Sequence, residues 1–256
     1  MKVQISVVII TFNEEENISR CLASLNDVAD EIVVVDSFST DNTSEICATY
    51  NTKFINHPFE GHIQQKNYAL DQATHPFVLS LDADEELSPE LRESIVKVKD
   101  DWQYDAYSFN RLSSYCGEFF PHGSWYPDRK VRLFDKRIGR WGGVNPHDKV
   151  VMQSSTSLLI PGDLYHYTYR TIAAHIKQIN YFSGIAAEAA FAGNKKFSLG
   201  KLVLKPFWRF FRDYFLKHGF MGGYRGLTIC LLSAVETYLK LIKLWELEKN
   251  NKKPIS

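Results

Sequence analysis

The sequence predicts an α/β fold in which a mostly parallel, open β-sheet is flanked by helices on both faces. Four short segments in the first hundred residues are almost continuous runs of apolar and β-branched residues, typical of parallel strands that are buried on both sides. Segments with helical periodicity separate these runs. This alternation predicts a doubly wound sheet, whose ligands gather at the carboxyl ends of the strands.

Each predicted element of this sheet has its own signal. The strands are predicted at Ile5–Thr11, Glu31–Asp36, Lys53–Asn56 and Phe77–Asp82. The first helix follows from the spacing of Ile18, Cys21, Leu22 and Leu25, the second from a capping Asp41 or Asn42, and the third covers residues 63–72. A serine followed by proline and glutamate, at residues 88–90, predicts the start of a fourth helix.

The rest of the chain is predicted to be a mixed region followed by helices. Residues 106–111, 130–134 and 157–160 have strand patterns, and loops rich in Gly, Pro, His and Trp separate them. From about residue 171 onward the pattern is helical, and Pro206 is predicted to begin one helix. We therefore expect one domain over residues 1–170 and a helical region over residues 171–256.

The formal net charge of zero conceals an uneven distribution of charge along the 256-residue chain. Residues 1–100 contain 18 acidic residues against 7 Lys or Arg, whereas residues 195–256 contain 4 against 13. This asymmetry predicts an acidic half that holds a cation and a basic end that meets an anionic surface. The four cysteines have no zinc-type or disulfide-type spacing, which favours a reducing compartment, and no apolar run approaches the roughly 20 residues that span a bilayer.

The segment "LSLDADEEL", residues 79–87, ends an apolar strand with Asp82, Ala83 and Asp84. Clustered carboxylates at the end of a buried strand cost free energy unless a positive charge is held there. A hard divalent cation, Mg²⁺ or Mn²⁺, that also binds the oxygens of a nucleoside diphosphate would neutralise them. The alternative is a pair of solvated acids in a surface loop.

Four segments together carry a resemblance to a known family. The segments "SVVIITFNEEENISRCLASL", "EIVVVDSFSTDNT", "QQKNYAL" and "LSLDADEEL", in this order and at this spacing, resemble the nucleotide-binding half of the family 2 glycosyltransferases, which have the GT-A fold. The resemblance is strong over residues 5–87. It implies a nucleotide-binding half over residues 1–100 and an acceptor half over residues 101–170.

The resemblance also implies a binding site for a UDP-sugar donor. The residues that would surround the uracil and ribose are Thr11, Phe12, Asn13, Glu14 and Asp36; Lys66 would contact the base or phosphates, Asp82 and Ala83 the nucleotide, and Asp82 and Asp84 the metal. Lys66 stands where many relatives have arginine, and Ser37 and Phe38 replace the more usual Asp-Gly. The alternatives are helix capping for Asn13, a solvated side chain for Lys66 and turn formation for Asp36.

The segment "GRWGGVNPHDKV", residues 139–150, is predicted to be a loop shaped by glycines and a proline. It presents His147 beside Asp148, and a carboxylate there is suited to take a proton from an acceptor hydroxyl. A subgroup of the family has His-Glu at this position, which implies Asp148 as general base and His147 as an orienting group or further metal ligand. The alternative is a turn with a capping aspartate.

Arg129, Lys130 or Arg132 would neutralise the diphosphate or pair with surface acids, and Trp141 would stack on a sugar or belong to the core.

The C-terminal part combines basic and aromatic residues. Residues 195–217 contain seven Lys or Arg, one acid and seven aromatic residues, a composition that suits an anionic membrane surface and equally a core. The segment "LKPFWRFFRDYFLKHGFMGGYRGL" resembles the tail of bacterial lipopolysaccharide inner-core glucosyltransferases, which act on a lipid-linked acceptor. A later stripe of apolar residues, Leu231, Val235, Tyr238, Ile242 and Trp245, is predicted to pack on the catalytic domain or on a second copy.

From these observations we expect an inverting, metal-dependent transferase that moves a hexose onto a heptose of a lipid-anchored core oligosaccharide. The first candidate for the hexose is glucose from UDP-glucose. It would be cytoplasmic and peripheral on the inner face of the cytoplasmic membrane, with no nucleic-acid partner. The alternatives are another UDP-sugar, another lipid-linked or protein acceptor, and a non-catalytic, sugar-nucleotide-binding membrane scaffold. A dehydrogenase is disfavoured because no Gly-x-Gly-x-x-Gly follows the first strand. The sequence leaves the oligomeric state open.

Overall fold

The computed structural model describes residues 2–144, 147–153 and 156–251, apart from the side chains of Val144 and His147. The strands are β1 (Ile5–Thr11), β2 (Glu31–Asp36), β3 (Lys53–Asn56), β4 (Phe77–Asp82), β5 (Glu85–Leu87), β6 (Ala106–Tyr115), β7 (Glu118–Phe119), β8 (Asp128–Asp135), β9 (Gly139–Val144), β10 (His147–Met152) and β11 (Ser157–Tyr169). The α-helices are α1 (Ile18–Ala23), α2 (Thr43–Ala48), α3 (His62–Gln72), α4 (Pro89–Asp100), α5 (Ile172–Ala192), α6 (Leu199–Phe211) and α7 (Gly223–Asn251). A π-helical turn, Arg212–Leu216, and a 3₁₀ turn, Gly219–Gly222, lie between α6 and α7.

The predicted α/β sheet is confirmed, and its first four strands have the predicted bounds. Within the described residues the strand order is β3-β2-β1-β4-β8-β6-β11-β5, with β7 paired to β6. β1 is parallel to both β2 and β4, and the register pairs Thr11 with Asp36 and Ile10 with Asp82. The carboxyl ends of these three strands therefore meet at one edge of the sheet.

The core of the sheet lies on both of its faces. Ile5, Val7 and Ile9 of β1 belong to one buried cluster together with α1, whereas Val8 belongs to a second cluster together with α3. Alternate residues of a strand point to opposite faces, so a strand that is covered twice needs apolar residues throughout. Each such side chain contributes about 1.5–3 kcal/mol when it is fully buried.

The parallel part of the sheet is limited to its first four strands. β4 pairs antiparallel with β8, β8 with β6, and β11 with β5. The three strand segments predicted after residue 100 are confirmed, but the structure extends each of them. The sequence did not predict β5, because three residues are too few to show a periodic pattern.

The prediction of an irregular loop over residues 139–150 is wrong for most of its length. β9 and β10 form an antiparallel ribbon in which Trp141 pairs with Val150 and Gly143 with Asp148. Trp141 is buried, and Val150 packs against the same cluster, which explains why the ribbon holds. The two residues between the strands, 145 and 146, lie outside the described part.

Helix α4 begins as predicted. The hydroxyl of Ser88 accepts a hydrogen bond from the N–H of Leu91 at 3.2 Å, and Pro89 occupies the first helical position. Such a cap is worth about 1 kcal/mol. Gly162 of β11, with φ +92°, passes so close that a Cβ there would lie 2.2 Å from the nitrogen of Leu91. Only glycine permits this approach of β11 to the start of α4.

The prediction that Pro206 begins a helix is wrong. Pro206 lies inside α6, which begins at Leu199 after Ser198. Basic residues recur at every fourth position from Lys201 to Arg209 with apolar residues between them, and this longer amphipathic pattern prevails over the local preference of proline.

The chain divides into two compact units. The first comprises Met1–Leu112 and Asp128–Tyr167, and the second comprises Ser113–Pro127 and Thr168–Ser256. The sequence-based division at residue 170 differs from this for residues 113–127, which the structure groups with the helices because Phe120 packs against Ile229 of α7.

Two further features belong to the second unit. Leu231, Val235, Tyr238 and Trp245 of α7 each expose 40% or more of their surface, and Ile242 is half-buried, so packing of this stripe on a second copy stays a prediction. The buried positions of α7 include Ile229, Leu241 and Leu244. Among the described residues, no helix combines the length and apolarity needed to traverse a bilayer.

Candidate active site

The loops that follow β1 and β2 are joined by hydrogen bonds from predicted site residues. Asp36 Oδ2 accepts from the N–H of Ser39 at 2.7 Å, and Asn13 Oδ1 accepts from the N–H of Thr40 at 2.8 Å. The N–H of Asn13 donates to Ser39 Oγ at 2.8 Å, and its φ of +54° suits asparagine. Asn13 is therefore not the cap of α1, which begins at Ile18, but it fixes the loop that the resemblance assigns to the nucleotide.

The rim of this edge exposes aromatic rings and holds one unsatisfied buried hydroxyl. Phe12 and Phe38 expose 56% and 57% of their surface, which leaves their rings available for stacking on a flat base. The Oγ1 atom of Thr11 is buried, and among the described residues it has no hydrogen-bond partner. Glu14 is held nearby, because its N–H donates to Thr43 Oγ1 at 2.9 Å.

A buried ion cluster lies at the end of β4. Lys66 Nζ of α3 lies 3.0 Å from Asp82 Oδ1 and 2.7 Å from Asp148 Oδ2. Arg132 Nη2 of β8 lies 3.0 Å from Asp82 Oδ2 and 2.7 Å from Glu85 Oε1. Lys66, Arg132 and Glu85 are almost fully buried, so each charge depends on its partners for the hydration it has lost.

The cluster fixes the ionisation of its members. Burial by itself would raise the pKa of Asp82, but the charges of Lys66 and Arg132 outweigh it and hold that pKa well below its usual range. Burial would likewise lower the pKa of Arg132, and the carboxylates of Glu85, Asp82 and Asp148 raise it instead. Asp82 is consequently a carboxylate already neutralised by two cations of the chain.

Asp84 stands apart from this cluster and faces a histidine. Its Oδ2 atom lies 3.3 Å from Nε2 of His166 on β11. The N–H of Tyr167 donates to the carbonyl oxygen of Asp84 at 3.0 Å, and β11 pairs with β5, so the two side chains are held together by strand pairing.

The donor set at Asp84 fits a divalent cation. The carboxylate of Asp84 suits Mg²⁺ or Mn²⁺, and Mg²⁺ is typically bound through one or two carboxylates together with phosphate oxygens. His166 Nε2, 3.3 Å from that carboxylate, is near enough to be a ligand of the same ion. No group of three or more metal-ligating side chains occurs in the part of the chain that the structure describes. Phosphate oxygens and water would supply the remaining ligands.

The structure brings Asp148 to the cluster but leaves His147 untested. Asp148 lies on β10 and its carboxylate contacts Lys66, so an acid predicted for the acceptor side and a lysine predicted for the donor side touch directly. The side chain of His147 lies outside the described residues. Ala83, between the two aspartates, is buried.

Trp141 holds the β9–β10 ribbon against α3 and is a core residue. Asn67 Nδ2 donates to the carbonyl oxygen of Trp141 at 2.9 Å, and the N–H of Trp141 donates to Asn67 Oδ1 at 3.0 Å. Its indole N–H donates to Ser80 Oγ at 3.2 Å, and Lys66 Nζ lies 4.3 Å from the ring centroid. The ring therefore supports the cation of Lys66.

Sequence reasoning missed three residues of the site: Glu85, Arg111 and His166. Glu85 is fully buried, and Arg111 Nη1 lies 3.5 Å from Glu85 Oε1 while Nη2 lies 2.9 Å from Asp128 Oδ2. Glu85 looks like one of a run of surface acids, and no local signal separates it from the others. An available signal for Arg111, as for Arg132, was its place in a strand-like segment, where burying a charge without a partner costs free energy.

A cavity of about 480 Å³ opens beside the cluster. Its lining includes six cationic residues, Lys66, Arg111, Arg129, Lys130, Arg132 and Lys149, and two acidic ones, Asp82 and Asp148. The volume lies in the range of small-molecule sites. An excess of positive charge in a cavity of this size attracts a small, multiply charged anion.

Paired carboxylates, exposed aromatic rings and a cationic cavity lie at the carboxyl edge of the parallel strands, where open α/β sheets bind their ligands. The sequence matches the model of "Glycosyl transferase family 2" over residues 6–156, more than half of the chain. The chain therefore belongs to family 2 of the glycosyltransferases, and the GT-A fold predicted from the resemblance is confirmed.

Several relatives align with nearly the whole of this chain. An uncharacterized glycosyltransferase of Rickettsia typhi is 31% identical, with 99% of this chain and 90% of the relative aligned. The lipopolysaccharide core biosynthesis glycosyltransferase LpsC of Rhizobium meliloti is 28% identical, with 96% and 93% aligned. Among solved structures, residues 1–349 of S. aureus TarS in complex with UDP align with a TM-score of 0.47 and 17% identity, covering 99% of this chain and 93% of that one.

Proposed function

We propose that the protein transfers a hexose, glucose from UDP-glucose as the first candidate, onto a heptose of a lipid-linked core oligosaccharide, with inversion at the anomeric carbon. The observation that carries the proposal is the meeting of Asp82, Lys66 and Asp148 at the carboxyl edge of the sheet, beside a cationic cavity. The similarity to LpsC over nearly the whole chain supports a lipopolysaccharide-core acceptor.

The loops after β1 and β2 would hold the nucleoside part of the donor. Phe12 and Phe38 offer exposed faces for the uracil, and the buried hydroxyl of Thr11 offers a hydrogen bond that no described residue satisfies. Asp36 and Asn13 shape these loops through Ser39 and Thr40. The diphosphate would then reach the cationic cavity, where Lys66 and Arg132 already face the end of β4.

Asp84 and His166 would hold a divalent cation, Mg²⁺ or Mn²⁺, because the Asp84 Oδ2 and His166 Nε2 atoms lie 3.3 Å apart at the end of the sheet. When bound there, it supplies positive charge that stabilises the departing UDP. Asp82 contributes less directly, because its carboxylate is engaged by Lys66 and Arg132 and serves to position both cations for the diphosphate.

Lys66 connects the donor to the proposed general base. It contacts both Asp82 and Asp148, so a diphosphate entering the cavity offers it a third anion. We propose that Lys66 then moves towards the phosphates and frees Asp148 Oδ2. The carboxylate takes the proton of the acceptor hydroxyl as the hydroxyl oxygen attacks the anomeric carbon and the bond from that carbon to the UDP oxygen breaks. In the absence of donor, the carboxylate stays engaged by the lysine.

The acceptor part of the proposal places the enzyme at a membrane. A lipid-anchored acceptor would be met at the inner face of the cytoplasmic membrane, and the basic C-terminal part of the chain suits an anionic lipid surface. In this scheme residues 101–170 contribute Asp148 to the acceptor side, and the helices of residues 171–256 bring the site to the lipid.

The test is a panel of UDP-sugars measured first for binding and then for transfer. Calorimetry with UDP-glucose, UDP-galactose and UDP-N-acetylglucosamine, each with Mg²⁺, with Mn²⁺ and with EDTA, should show tight binding of one UDP-hexose that requires the metal. Transfer is then followed with a truncated, water-soluble core acceptor ending in heptose. Binding that is indifferent to EDTA would contradict the metal site, and metal-dependent binding without transfer or donor hydrolysis would favour the non-catalytic scaffold.

A further inference from the structure

The helix α6 exposes a continuous apolar surface. None of its side chains is buried, and Leu204, Phe207 and Trp208 expose 67%, 68% and 54% of their surface. Positions 203, 207 and 211 form one row along the helix, and positions 204 and 208 form the adjacent row. The turns after the helix extend this surface with Phe215, Leu216, Phe220 and Met221, all exposed. We call these residues, from Val203 to Met221, the apolar arc.

A row of cations borders the apolar arc. Lys201, Lys205 and Arg209 lie four residues apart and therefore on one side of the helix. The one acid of residues 195–217 is Asp213, which is buried and pairs with Arg209 and Arg212. Lys201 and Lys205 have no acidic partner within the described residues, so their charge is available to an external anion.

The opposite side of α6 is attached to the helices of the same unit. α6 packs along α7, and the N–H of Phe197, just before α6, donates to Glu248 Oε1 of α7 at 2.7 Å. Asp213 also accepts a hydrogen bond from Ser124 Oγ at 3.1 Å. These contacts fix which side of α6 faces outward. Large exposed apolar patches that are held in place mark interaction surfaces.

We infer that α6 and the two turns after it form a membrane-docking surface that lies in the plane of an anionic bilayer, with the apolar arc among the acyl chains and Lys201 and Lys205 at the phosphate groups. Charge selects this partner over a second copy of the chain. Two copies joined through the arc would bring two rows of uncompensated cations together, whereas anionic lipid neutralises them. The inference deepens the proposed function, because it states which element would hold the transferase beside a lipid-linked acceptor.

The test is sedimentation of the full chain with lipid vesicles. Vesicles of equal parts phosphatidylglycerol and phosphatidylcholine should bind the protein, vesicles of phosphatidylcholine alone should bind it weakly, and added salt should reduce the difference. The double substitution Phe207→Ser with Trp208→Ser should lower the affinity for the anionic vesicles by about tenfold or more, because two large apolar side chains no longer enter the lipid. Circular dichroism and the Tm confirm that this variant is folded.

Two matched variants make the test specific. Ile176→Ser with Tyr181→Ser removes two side chains of α5 that expose 51% and 65% of their surface, and this variant should bind vesicles like the wild type. Lys201→Gln with Lys205→Gln should reduce the preference for phosphatidylglycerol over phosphatidylcholine. Brominated lipid should quench the emission of Trp208, seen as a difference between the wild type and Trp208→Phe.

Three outcomes would overturn the inference. These are failure of the wild type to bind anionic vesicles, equal binding by the Phe207→Ser, Trp208→Ser variant, and a dimer in solution that this variant abolishes, which would assign the arc to a second copy. Vesicle binding is measured without donor, and UDP-hexose binding is measured without vesicles. A wild type that binds lipid but no UDP-hexose refutes the proposed function alone, and the reverse result refutes the docking surface alone.

Discussion

The sheet edge and helix α6 both concentrate positive charge, but they compensate it in opposite ways. At the sheet edge Lys66 and Arg132 are almost fully buried, and each contacts two carboxylates of the chain. On α6, Lys201 and Lys205 are exposed and have no acidic partner in the described residues. A buried charge that is paired within the fold fixes the positions of its neighbours. An unpaired charge at the surface attracts oppositely charged groups from outside the molecule.

The difference assigns separate tasks to the two regions. In the first unit the ion cluster holds cations at a cavity that would receive a small anion of defined shape, so geometry is decisive. In the second unit the cations border an apolar surface that would meet a fluid, extended anion, so only sign and spacing matter.

Replacing Asp84 by Ala should reduce hexose transfer by about a thousandfold or more, because the loss of a metal-ligating carboxylate removes several kcal/mol of charge stabilisation from the departing UDP. Steady-state transfer to the truncated acceptor measures the effect. The control is Asp71→Ala, which removes a surface partner of Arg140 and should leave transfer unchanged. Full activity of the Asp84→Ala enzyme in EDTA would show that the carboxylate serves the fold only.

Replacing Asp148 by Asn should lower kcat by about 10²–10⁴, the usual contribution of a general base, while UDP-hexose still binds with nearly wild-type affinity. The amide keeps the size of the side chain but cannot take the proton. Calorimetry for binding and single-turnover transfer for chemistry separate the two effects. Turnover at the wild-type rate would mean that the base lies elsewhere and that the contact with Lys66 is structural.

Replacing Arg132 by Met should lower the free energy of unfolding by roughly 3–5 kcal/mol, because Glu85 and Asp82 would lose a buried partner. The matched control is Arg137→Met, since Arg137 pairs with Asp135 but has a mostly exposed side chain, and it should cost about 0–1 kcal/mol. Urea unfolding of both variants gives the comparison. Equal losses would mean that burial does not distinguish the two pairs.

A smaller effect is expected from His175, a buried histidine of the second unit. Burial lowers the pKa of His175 to about 4, and its Nδ1 lies 3.1 Å from the hydroxyl of Tyr115. In the unfolded chain the imidazole of His175 has a pKa of about 6.5. The contribution of neutral His175 to the free energy of unfolding is therefore complete above that pH and is lost as the pH falls towards 4. The free energy of unfolding should decrease by about 2–3 kcal/mol over this window.

The measurement for His175 is urea unfolding at several pH values between 7 and 4. Other groups titrate in the same window, so the informative quantity is the difference between the wild type and His175→Phe. The variant should show a shallower pH dependence, whatever its absolute stability. An unchanged slope would show that His175 becomes protonated in the folded protein as readily as in the unfolded chain.

The sequence predicted the parts of the fold that depend on local pattern. β1 to β4 have the predicted bounds because strands covered on both faces are continuously apolar, and Ser88 capped α4 as expected. The placement of Asp36 and Asp82 at one edge followed from parallel pairing. These features need no information about distant residues.

The rest of the site depends on contacts between distant segments. Glu85 and Arg132 are 47 residues apart, and nothing near either one indicates the pairing. The partner of Asp84 is His166 of β11, which the sequence did not indicate, and the role of His147 as an orienting group or further metal ligand stays a prediction. The β9–β10 ribbon was also missed, because its glycines resemble a loop and Trp141, which packs it on α3, shows no strand-like alternation with them.

The side-chain amide of Asn67 forms hydrogen bonds with both the N–H and the carbonyl oxygen of Trp141, and this affects the register of the β9–β10 ribbon. A slip of β10 by one residue in the direction that puts Lys149 in the place of Asp148 would set two positive charges, Lys149 and Lys66, against each other where an ion pair now lies. By tying β9 to α3 at Trp141, Asn67 fixes the position from which the paired strand β10 presents Asp148 to Lys66.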